Sequence, residues 1–550
     1  MNILDQSPDL ILTNGRFHIL DLENTVVRAV AVRDGRILAT GNERLIGDMA
    51  GPATKVIDLE GKTVIPGIFD SHAHLQEVGL KLAAIRLDEC KSPEEMMELV
   101  REKAADTPPG TWIVGMGWNE GNFSDADGRI ANGRMPTKHD IDPATDQHPV
   151  ILQRFFNCDV VNSKALELAG ITSKTPDPAG GKIEHDEHGE PNGLIRAGAK
   201  LLVRNLLPKA TQTDLKNAIG LGCEEFNRYG ITSTIEPGLR PHQLQSFQDY
   251  HQETGMSVRT ALMPSWHGFF EDETTDELDA RAKQYGLHSG FGNEWLQING
   301  LKMAIDGGSS PHTAWMYEPF EGEDAVIDYN RMSPADLERY FRMAQELGWD
   351  IGIHACGDRA QDVVAAAFAK VAQDVPRPDA RHNIIHAYFP TDTAIEQMAE
   401  HNIAAVVQPT FLYWEGNMIF RDVGEKRAAN WKPVRKYLDR GVHVTASSDV
   451  PSTVSVNPFV GMYALVTRMS NLGREVGWDQ AVTRREALRM YTADGTWLTR
   501  EEKLKGTLEP GKLADFAVLD RNYFSIPVDE IKDVQVDLTL CGGKVVWERA

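Results

Sequence analysis

The chain has 550 residues, 41% hydrophobic and 25% charged, which is typical of a globular protein too long for a single small core. Its formal net charge of −23 at pH 7 argues against a nucleic-acid partner, because phosphate binding needs a basic surface. The five cysteines are scattered without a CxxC spacing, which predicts reduced thiols and excludes a disulfide framework or a structural zinc site of that type.

The beginning of the chain has no basic segment followed by a cleavable apolar core, so we expect no signal peptide. No apolar run reaches the roughly 18 residues that a membrane-spanning helix needs. We therefore expect a soluble cytoplasmic protein that binds neither nucleic acid nor a membrane.

Both ends of the chain are rich in short apolar runs separated by turn dipeptides such as Asn14-Gly15, Asp34-Gly35 and Gly542-Gly543. No long helical stripe interrupts either end. Because both ends have the same pattern of short apolar runs and turns, we predict one composite β-sandwich domain formed by residues 1–62 and 496–550.

The middle of the chain, residues 63–495, alternates strand-like and helix-like segments, which predicts an α/β fold. Helices are predicted over Pro334–Leu347, Arg359–Gln373 and Thr391–Glu400. Eight strand candidates fit a (β/α)₈ TIM barrel. These candidates end near His72, Glu236, Pro264, Lys302, His354, His386, Gln408 and Asp449.

The interval after the first barrel strand is too long for one helix and its loops. It contains strand-like segments and Gly/Asp-rich turns, so we interpret residues 85–205 as an inserted subdomain over the barrel mouth, where loops shape substrate pockets. A shorter insertion, Asp306–Asn330, follows the fourth strand and is a candidate lid or pocket wall.

The run Val64–Leu75 is a buried strand candidate that ends in two histidines, His72 and His74. Residues i and i+2 of a strand point to the same side, so both imidazoles are expected to face one point. Such a pair on its own is weak evidence for a metal. Lys302, His354, His386 and Asp449 also lie at strand ends, and barrel active sites form at the carboxyl ends of the strands. The whole set therefore predicts a metal site.

At this point the chain resembles the amidohydrolase superfamily of metal-dependent hydrolases, in particular the branch of large amidohydrolases that includes N-substituted formamide deformylase. The resemblance extends over nearly the full length. The segments that carry it are Pro66–His74, Asn162–Leu166, Leu301–Gly307, Ile353–Ala360, Ile385-His386, Ser447–Pro451 and Gly511–Asp515.

The resemblance implies a two-metal centre. His72, His74 and Asp449 are expected to hold the first ion, and His354 and His386 the second. Lys302, carboxylated by CO₂, is expected to bridge them, because a lysine buried at a barrel mouth is driven toward the neutral amine that reacts with CO₂. An ion pair of Lys302 with Asp306 or Glu236 is the alternative. Zinc suits the histidine-rich set, with manganese, iron or cobalt as alternatives.

The expected reaction is hydrolysis of a carbon–nitrogen bond other than a peptide bond, in an amide, formamide, carbamate or cyclic amide. A metal-activated hydroxide would attack, and Asp449 would carry its proton to the leaving nitrogen. A heterocycle deaminase with one metal is the alternative enzyme. A non-catalytic scaffold is the alternative outside enzymes, although such relatives lose metal ligands that this chain keeps.

Two further residues are candidates for substrate binding. Trp118, with its neighbours Asn119 and Glu120, is placed in the wall of the inserted subdomain, with a purely structural aromatic as the alternative. His312 could donate a hydrogen bond to a tetrahedral intermediate. The resemblance also implies a homo-oligomer, with a dimer as the expectation.

Overall fold

The computed structural model describes residues 7–87, 90–118, 135–154, 158–178, 181–268, 274–310, 312–326 and 331–550. The chain divides into two compact units, the first formed by Met1–Leu75 with Cys223–Ala550 and the second by Gln76–Gly222. The second unit includes the whole segment predicted as an insertion, 85–205. In the described ranges, no helix has both the length and the apolar character that crossing a membrane requires.

The described residues contain both strands and helices. The strands are β1 (Leu10–Thr13), β2 (Arg16–His18), β3 (Val26–Val27), β4 (Ala29–Arg33), β5 (Arg36–Gly41), β6 (Lys55–Asp58), β7 (Thr63–Pro66), β8 (Ile68–Asp70), β9 (Ile85–Arg86), β10 (Ile113–Trp118), β11 (Val150–Arg154), β12 (Cys158–Val161), β13 (Gly181–His185), β14 (Pro191–Ala197), β15 (Ile231–Leu239), β16 (Arg259–Pro264), β17 (Phe291–Gly292), β18 (Leu296–Ile298), β19 (Leu301–Ala304), β20 (Ile351–Ala355), β21 (Asn383–His386), β22 (Ala404–Val407), β23 (Val444–Ala446), β24 (Phe516–Leu519), β25 (Val536–Cys541) and β26 (Lys544–Glu548).

The α-helices lie mostly between the strands of the middle region. They are α1 (Glu43–Gly47), α2 (Leu75–Ala83), α3 (Pro93–Ala105), α4 (Lys138–Ile141), α5 (Ser163–Leu168), α6 (Leu201–Arg204), α7 (Gln212–Arg228), α8 (Pro241–Glu253), α9 (Thr275–Gln284), α10 (Pro334–Leu347), α11 (Asp358–Asp374), α12 (Asp392–Glu400), α13 (Pro409–Glu415), α14 (Met418–Ala429), α15 (Val434–Asp439), α16 (Pro458–Thr467), α17 (Arg484–Met490) and α18 (Gly495–Leu498).

Local signals fix the ends of the predicted helices. The Ser333 side chain accepts from the backbone N–H of Asp336 and caps α10, Pro334 occupies its first turn, and Gly348 ends it at a φ of 78°. The predicted bounds of α10 are confirmed. Helix α11 extends one residue beyond its predicted bounds at each end, and α12 begins one residue later than predicted.

Strands from the two ends of the chain share one hydrophobic core in the first unit. A four-stranded sheet has the order β5-β4-β1-β6, and a six-stranded sheet has the order β26-β25-β24-β7-β2-β3. Val64 of β7 lies opposite Val518 of β24 in an antiparallel pair and beside Phe17 of β2 in a parallel pair. These side chains lie in one buried cluster with Leu12 and Leu540. The two ends of the sequence therefore fold together.

The strand predicted to run continuously toward His72 is divided in two. β7 belongs to the six-stranded terminal sheet, and only β8 pairs with β15. Gly67 separates them at a point where a Cβ atom would lie 2.1 Å from the Thr232 hydroxyl, so the close approach of the backbone requires glycine. The prediction of one strand from Val64 to near His72 is wrong, because the chain changes sheets at this glycine.

Two five-stranded sheets, built mostly of parallel strands, carry the predicted site residues. Their orders are β17-β18-β16-β15-β8 and β19-β20-β21-β22-β23. Backbone hydrogen bonds join the two sheets at two places. Trp266, just after β16, donates to the Lys302 carbonyl of β19 (2.8 Å), and Ser71, just after β8, donates to the Ala446 carbonyl of β23 (3.3 Å). All eight predicted strand positions carry strands, the fourth as the pair β18 and β19. The carboxyl ends of these successive parallel strands therefore lie on the same side of the structure.

The second unit is built on a six-stranded sheet of the order β13-β14-β12-β11-β10-β9. Apolar side chains on its two faces form two clusters, one around Met96, Trp118 and Leu152 and the other around Ile151 and Ile195. This unit therefore has its own hydrophobic cores.

Candidate metal centre

His72, His74 and Asp449 form the first group of potential metal ligands. The Nε2 atoms of both histidines lie 3.4 Å from Oδ1 of Asp449, and one ligand atom from each of the three residues lies within 4.8 Å of the others. The geometry corrects one expectation: β8 ends at Asp70, so both histidines lie beyond the strand, His72 in a bend and His74 directly before α2. They converge because the chain turns there, and not because of the strand alternation.

Asp70 holds the two loops of this first group together. Its Oδ1 atom accepts hydrogen bonds from the backbone N–H of His72 (3.2 Å) and of Ser448 (3.0 Å). The backbone N–H of Asp449 in turn donates to the His72 carbonyl (2.8 Å). The ligands that follow β8 and β23 are therefore fixed relative to each other by backbone contacts. The sequence analysis did not identify this role of Asp70.

His354 and His386 form a second group, to which the structure adds Cys356. The two imidazole rings are 4.2 Å apart, and the Cys356 Sγ atom is 3.5 Å from Nε2 of His354. The His386 ring also lies 5.9 Å from the His72 ring, so the two groups are neighbours. Cys356 was missed, although the i, i+2 spacing from His354 on β20 was the same signal that drew attention to His72 and His74.

Gln408 fixes the orientation of the His386 ring through its Nδ1 atom. Its Oε1 atom lies 2.9 Å from Nδ1 of His386, which leaves Nε2 as the ligand atom. The Gln408 amide is itself fixed by donating to the Val406 carbonyl and to the Ser447 hydroxyl, both at 3.1 Å. A hydrogen bond of this kind sets the tautomer and ring orientation of a metal-binding histidine.

Lys302 lies on β19 and is only 2% exposed. Burial lowers the pKa of its ammonium group to about 7, against the opposing effect of the Asp449 carboxylate. The Asp306 carboxylate, one of the predicted alternative partners of Lys302, accepts from the backbone N–H groups of Cys356 (3.0 Å), Gly357 (2.8 Å) and Trp315 (2.9 Å). Because the pKa of Lys302 is about 7, a substantial fraction of its side chain is a neutral amine near pH 7.

The electrostatics of the histidines suit metal binding. Burial, reinforced by the charge of Lys302, lowers the pKa of His72 to about 3 and that of His354 to about 4. Burial alone would raise the pKa of Asp449, but hydrogen bonds from His72 and His74 hold it well below its usual range. Neutral imidazoles and an ionised carboxylate are the protonation states that bind divalent metals. The donor set therefore fits the predicted ion.

The two predicted substrate contacts are engaged in other interactions. Trp118 is fully buried, and its indole N–H donates to the Leu152 carbonyl (2.8 Å). Nδ1 of His312 lies 2.8 Å from Glu323, and its Nε2 lies 3.5 Å from Asp422. Both residues stay untested as substrate contacts, and Asn119 and Glu120 lie outside the described residues.

The protein places four histidines and an aspartate at or just beyond the carboxyl ends of parallel strands, and the buried Lys302 lies within β19. This combination is typical of a metal-dependent hydrolase. Comparison with known families agrees: the model of the amidohydrolase family matches residues 55–547. The chain belongs to the amidohydrolase family. This confirms the predicted family and the prediction of a hydrolase that acts on carbon–nitrogen bonds other than peptide bonds.

Individual relatives cover almost the whole chain. N-substituted formamide deformylase of Arthrobacter pascens is 28% identical over 99% of this chain and 99% of its own length. Protein LONG AFTER FAR-RED 3 of Arabidopsis thaliana is 29% identical over 98% of this chain and 91% of its own. The crystal structure of an uncharacterized metal-dependent hydrolase from Pyrococcus furiosus matches with a TM-score of 0.74 and 27% identity, covering 94% of this chain and 100% of that one. These matches imply a TIM-barrel-type α/β fold.

Proposed function

We propose that the protein hydrolyses an amide-type carbon–nitrogen bond, in an amide, formamide, carbamate or cyclic amide, with Asp449 as the proton shuttle. The observation that carries the proposal is the position of Asp449, whose Oδ1 lies 3.4 Å from both His72 and His74. The match to N-substituted formamide deformylase over nearly its full length supports formamides as the first candidates.

We propose that the centre holds two zinc ions. His72, His74 and Asp449 would bind one, His354 and His386 the other, and carboxylated Lys302 would bridge them. The nearly buried Lys302 amine, with its pKa lowered to about 7, supports carboxylation because only the neutral amine reacts with CO₂. When bound, zinc lowers the pKa of water toward neutrality and polarises a carbonyl group.

Asp449 is suited to move a proton. The residue is 6% exposed and its carboxylate is ionised, so it can accept a proton from the attacking water. It can then deliver that proton to the leaving nitrogen, which departs as a neutral amine. Asp70 keeps the Asp449 loop in place through Ser448.

The same proposal extends to the architecture. The hydrogen bonds that join β16 to β19 and the ends of β8 and β23 support an eight-stranded closed barrel, with the candidate metal centre towards the carboxyl ends of its strands. The shared core of the terminal strands supports a β-sandwich.

The test is the Asp449→Asn variant, assayed for amine release from a panel of N-formyl and N-acyl amines and cyclic amides. We expect turnover to fall by about 10²–10⁴-fold, the contribution of a positioned acid–base group, while metal content stays near that of the wild type. Asp439→Asn, an equivalent change at an exposed ion pair with Arg435, is the matched control and should be fully active. Near-wild-type turnover by Asp449→Asn would exclude the shuttle role, and a wild type inactive on every compound would refute the proposed function.

A further inference from the structure

A second lysine, Lys432, is buried beside the metal centre and is not used by the proposed reaction. The residue is 1% exposed, and its Nζ atom lies 3.2 Å from the centre of the Tyr388 ring, with Trp431 at 4.8 Å and Phe411 at 5.2 Å. Among the residues that the structure describes, Nζ has no hydrogen-bond partner. The aromatic faces can attract the amine in its charged form, but they accept no conventional hydrogen bond from its N–H donors.

The backbone holds this lysine in place against its conformational preference. Lys432 has a φ of 52°, in the left-handed region that non-glycine residues seldom adopt. Its N–H donates to the Tyr388 carbonyl (2.8 Å), and its own carbonyl accepts from Val434 N–H (2.9 Å) and from the Arg468 guanidinium (3.1 Å). Arg468, fully buried, also donates to the Trp431 carbonyl (2.7 Å). Strain that surrounding contacts maintain is typical of functional positions.

The Tyr388 ring is a neighbour of both the Lys432 amine and the imidazole ring of His386, a predicted metal ligand. Tyr388 follows His386 by two residues, and its ring meets the His386 ring at 5.4 Å. The Glu415 carboxylate on α13 is close enough to act electrostatically on Lys432. It accepts a hydrogen bond from the Ser310 hydroxyl (3.0 Å) but none from Lys432. The N–H donors of Lys432 therefore have no acceptor among the described residues.

Burial holds the pKa of the Lys432 amine well below its usual range. An anion bound beside the amine would stabilise its ammonium form through charge-assisted hydrogen bonds. We propose that Lys432 is the binding site for a carboxylate carried by the substrate. The Tyr388, Phe411 and Trp431 rings would cover the apolar part next to that carboxylate. This inference rests on the proposed function, and it assigns the substrate to N-acyl compounds that bear a carboxylate near the scissile bond.

The binding test uses two ligands that differ only in charge, hydrocinnamate and its uncharged amide. Calorimetry measures their affinities for the wild type, Lys432→Met and Lys432→Arg, each metal-free and zinc-loaded, because a bound metal also attracts carboxylates. Lys436→Met is the matched control: Lys436 lies on the adjacent helix α15 and pairs with Asp392 (2.7 Å). Thermal melting shows whether each variant is folded.

We expect the metal-free wild type to bind the carboxylate about tenfold to a hundredfold more tightly than the amide, the range for a hydrogen bond between charged groups. Lys432→Met should lose this preference, while Lys432→Arg and Lys436→Met should keep it. Equal affinities in the metal-free wild type, or an undiminished preference in Lys432→Met, would overturn the proposal. The wild-type comparison decides alone if Lys432→Met does not fold.

Hydrolysis separates this proposal from the proposed function. N-Formylphenylalanine and N-phenethylformamide share a scissile formamide and differ in the carboxylate. Preference for the first, lost in Lys432→Met, supports both proposals. Equal hydrolysis of the two refutes the carboxylate site and leaves the hydrolase standing, whereas a carboxylate preference in binding without any hydrolysis across the panel refutes the hydrolase and leaves the site standing.

Discussion

Replacing Gln408 by leucine tests how the second half of the metal centre is held. The side chain is fully buried, and its Oε1 atom is the partner of His386 Nδ1 at 2.9 Å. Leucine has a similar volume and cannot accept this hydrogen bond, so the imidazole loses its fixed tautomer and orientation. Loss of such an outer partner lowers metal affinity by about ten- to a hundredfold. That is about 1.4–2.8 kcal/mol of binding free energy.

The assay is competition for zinc between the protein and a chromogenic chelator, in the wild type and in Gln408→Leu. Gln535→Leu, the same change at an exposed position near the C-terminus, is the control and should leave the affinity unchanged. An affinity of Gln408→Leu within about twofold of the wild type would refute the orienting role, because a histidine that needs no outer partner would bind equally well.

Two further predictions concern Lys302 and a buried ion pair. Zinc loading of the metal-free wild type should increase with added bicarbonate, whereas Lys302→Met should retain at most one zinc per chain and show no bicarbonate dependence; metal analysis after reconstitution checks this. Arg259 and Asp515 form a bidentate pair at 2.8 and 3.0 Å between β16 and the segment before β24. Asp515→Ala should lower the free energy of unfolding by about 3–5 kcal/mol because Arg259 is left charged and buried. The double variant Arg259→Met/Asp515→Leu should recover most of that loss in denaturant titrations, and no recovery would contradict the ion-pair explanation.

The sequence predicts the strand–helix alternation well because the strands are short apolar runs and the helices carry explicit end signals. Ser333, Pro334 and Gly348 mark both ends of α10 in the sequence itself. The division of residues 63–70 between two sheets was not predictable in this way. It depends on the contact of Gly67 with Thr232, which lies far away in the chain.

The residues of the candidate centre could be proposed from the sequence because most of them lie near the end of an apolar run. Their supporting residues could not. Gln408 reaches His386 across the sheet from the next strand, and Asp70 bridges two loops that are distant in sequence. The aromatic enclosure of Lys432 likewise combines side chains from three separate segments, so no local pattern indicates it.

The measurement that tests the account most directly is the metal content per chain of protein purified without chelators, determined by elemental analysis. Two divalent ions per chain are expected, since His72, His74 and Asp449 form one donor group and His354 and His386 belong to another. One ion per chain would contradict the bridged centre and favour the deaminase-like alternative. No bound metal, even after incubation with zinc and bicarbonate, would contradict metal-dependent hydrolysis itself.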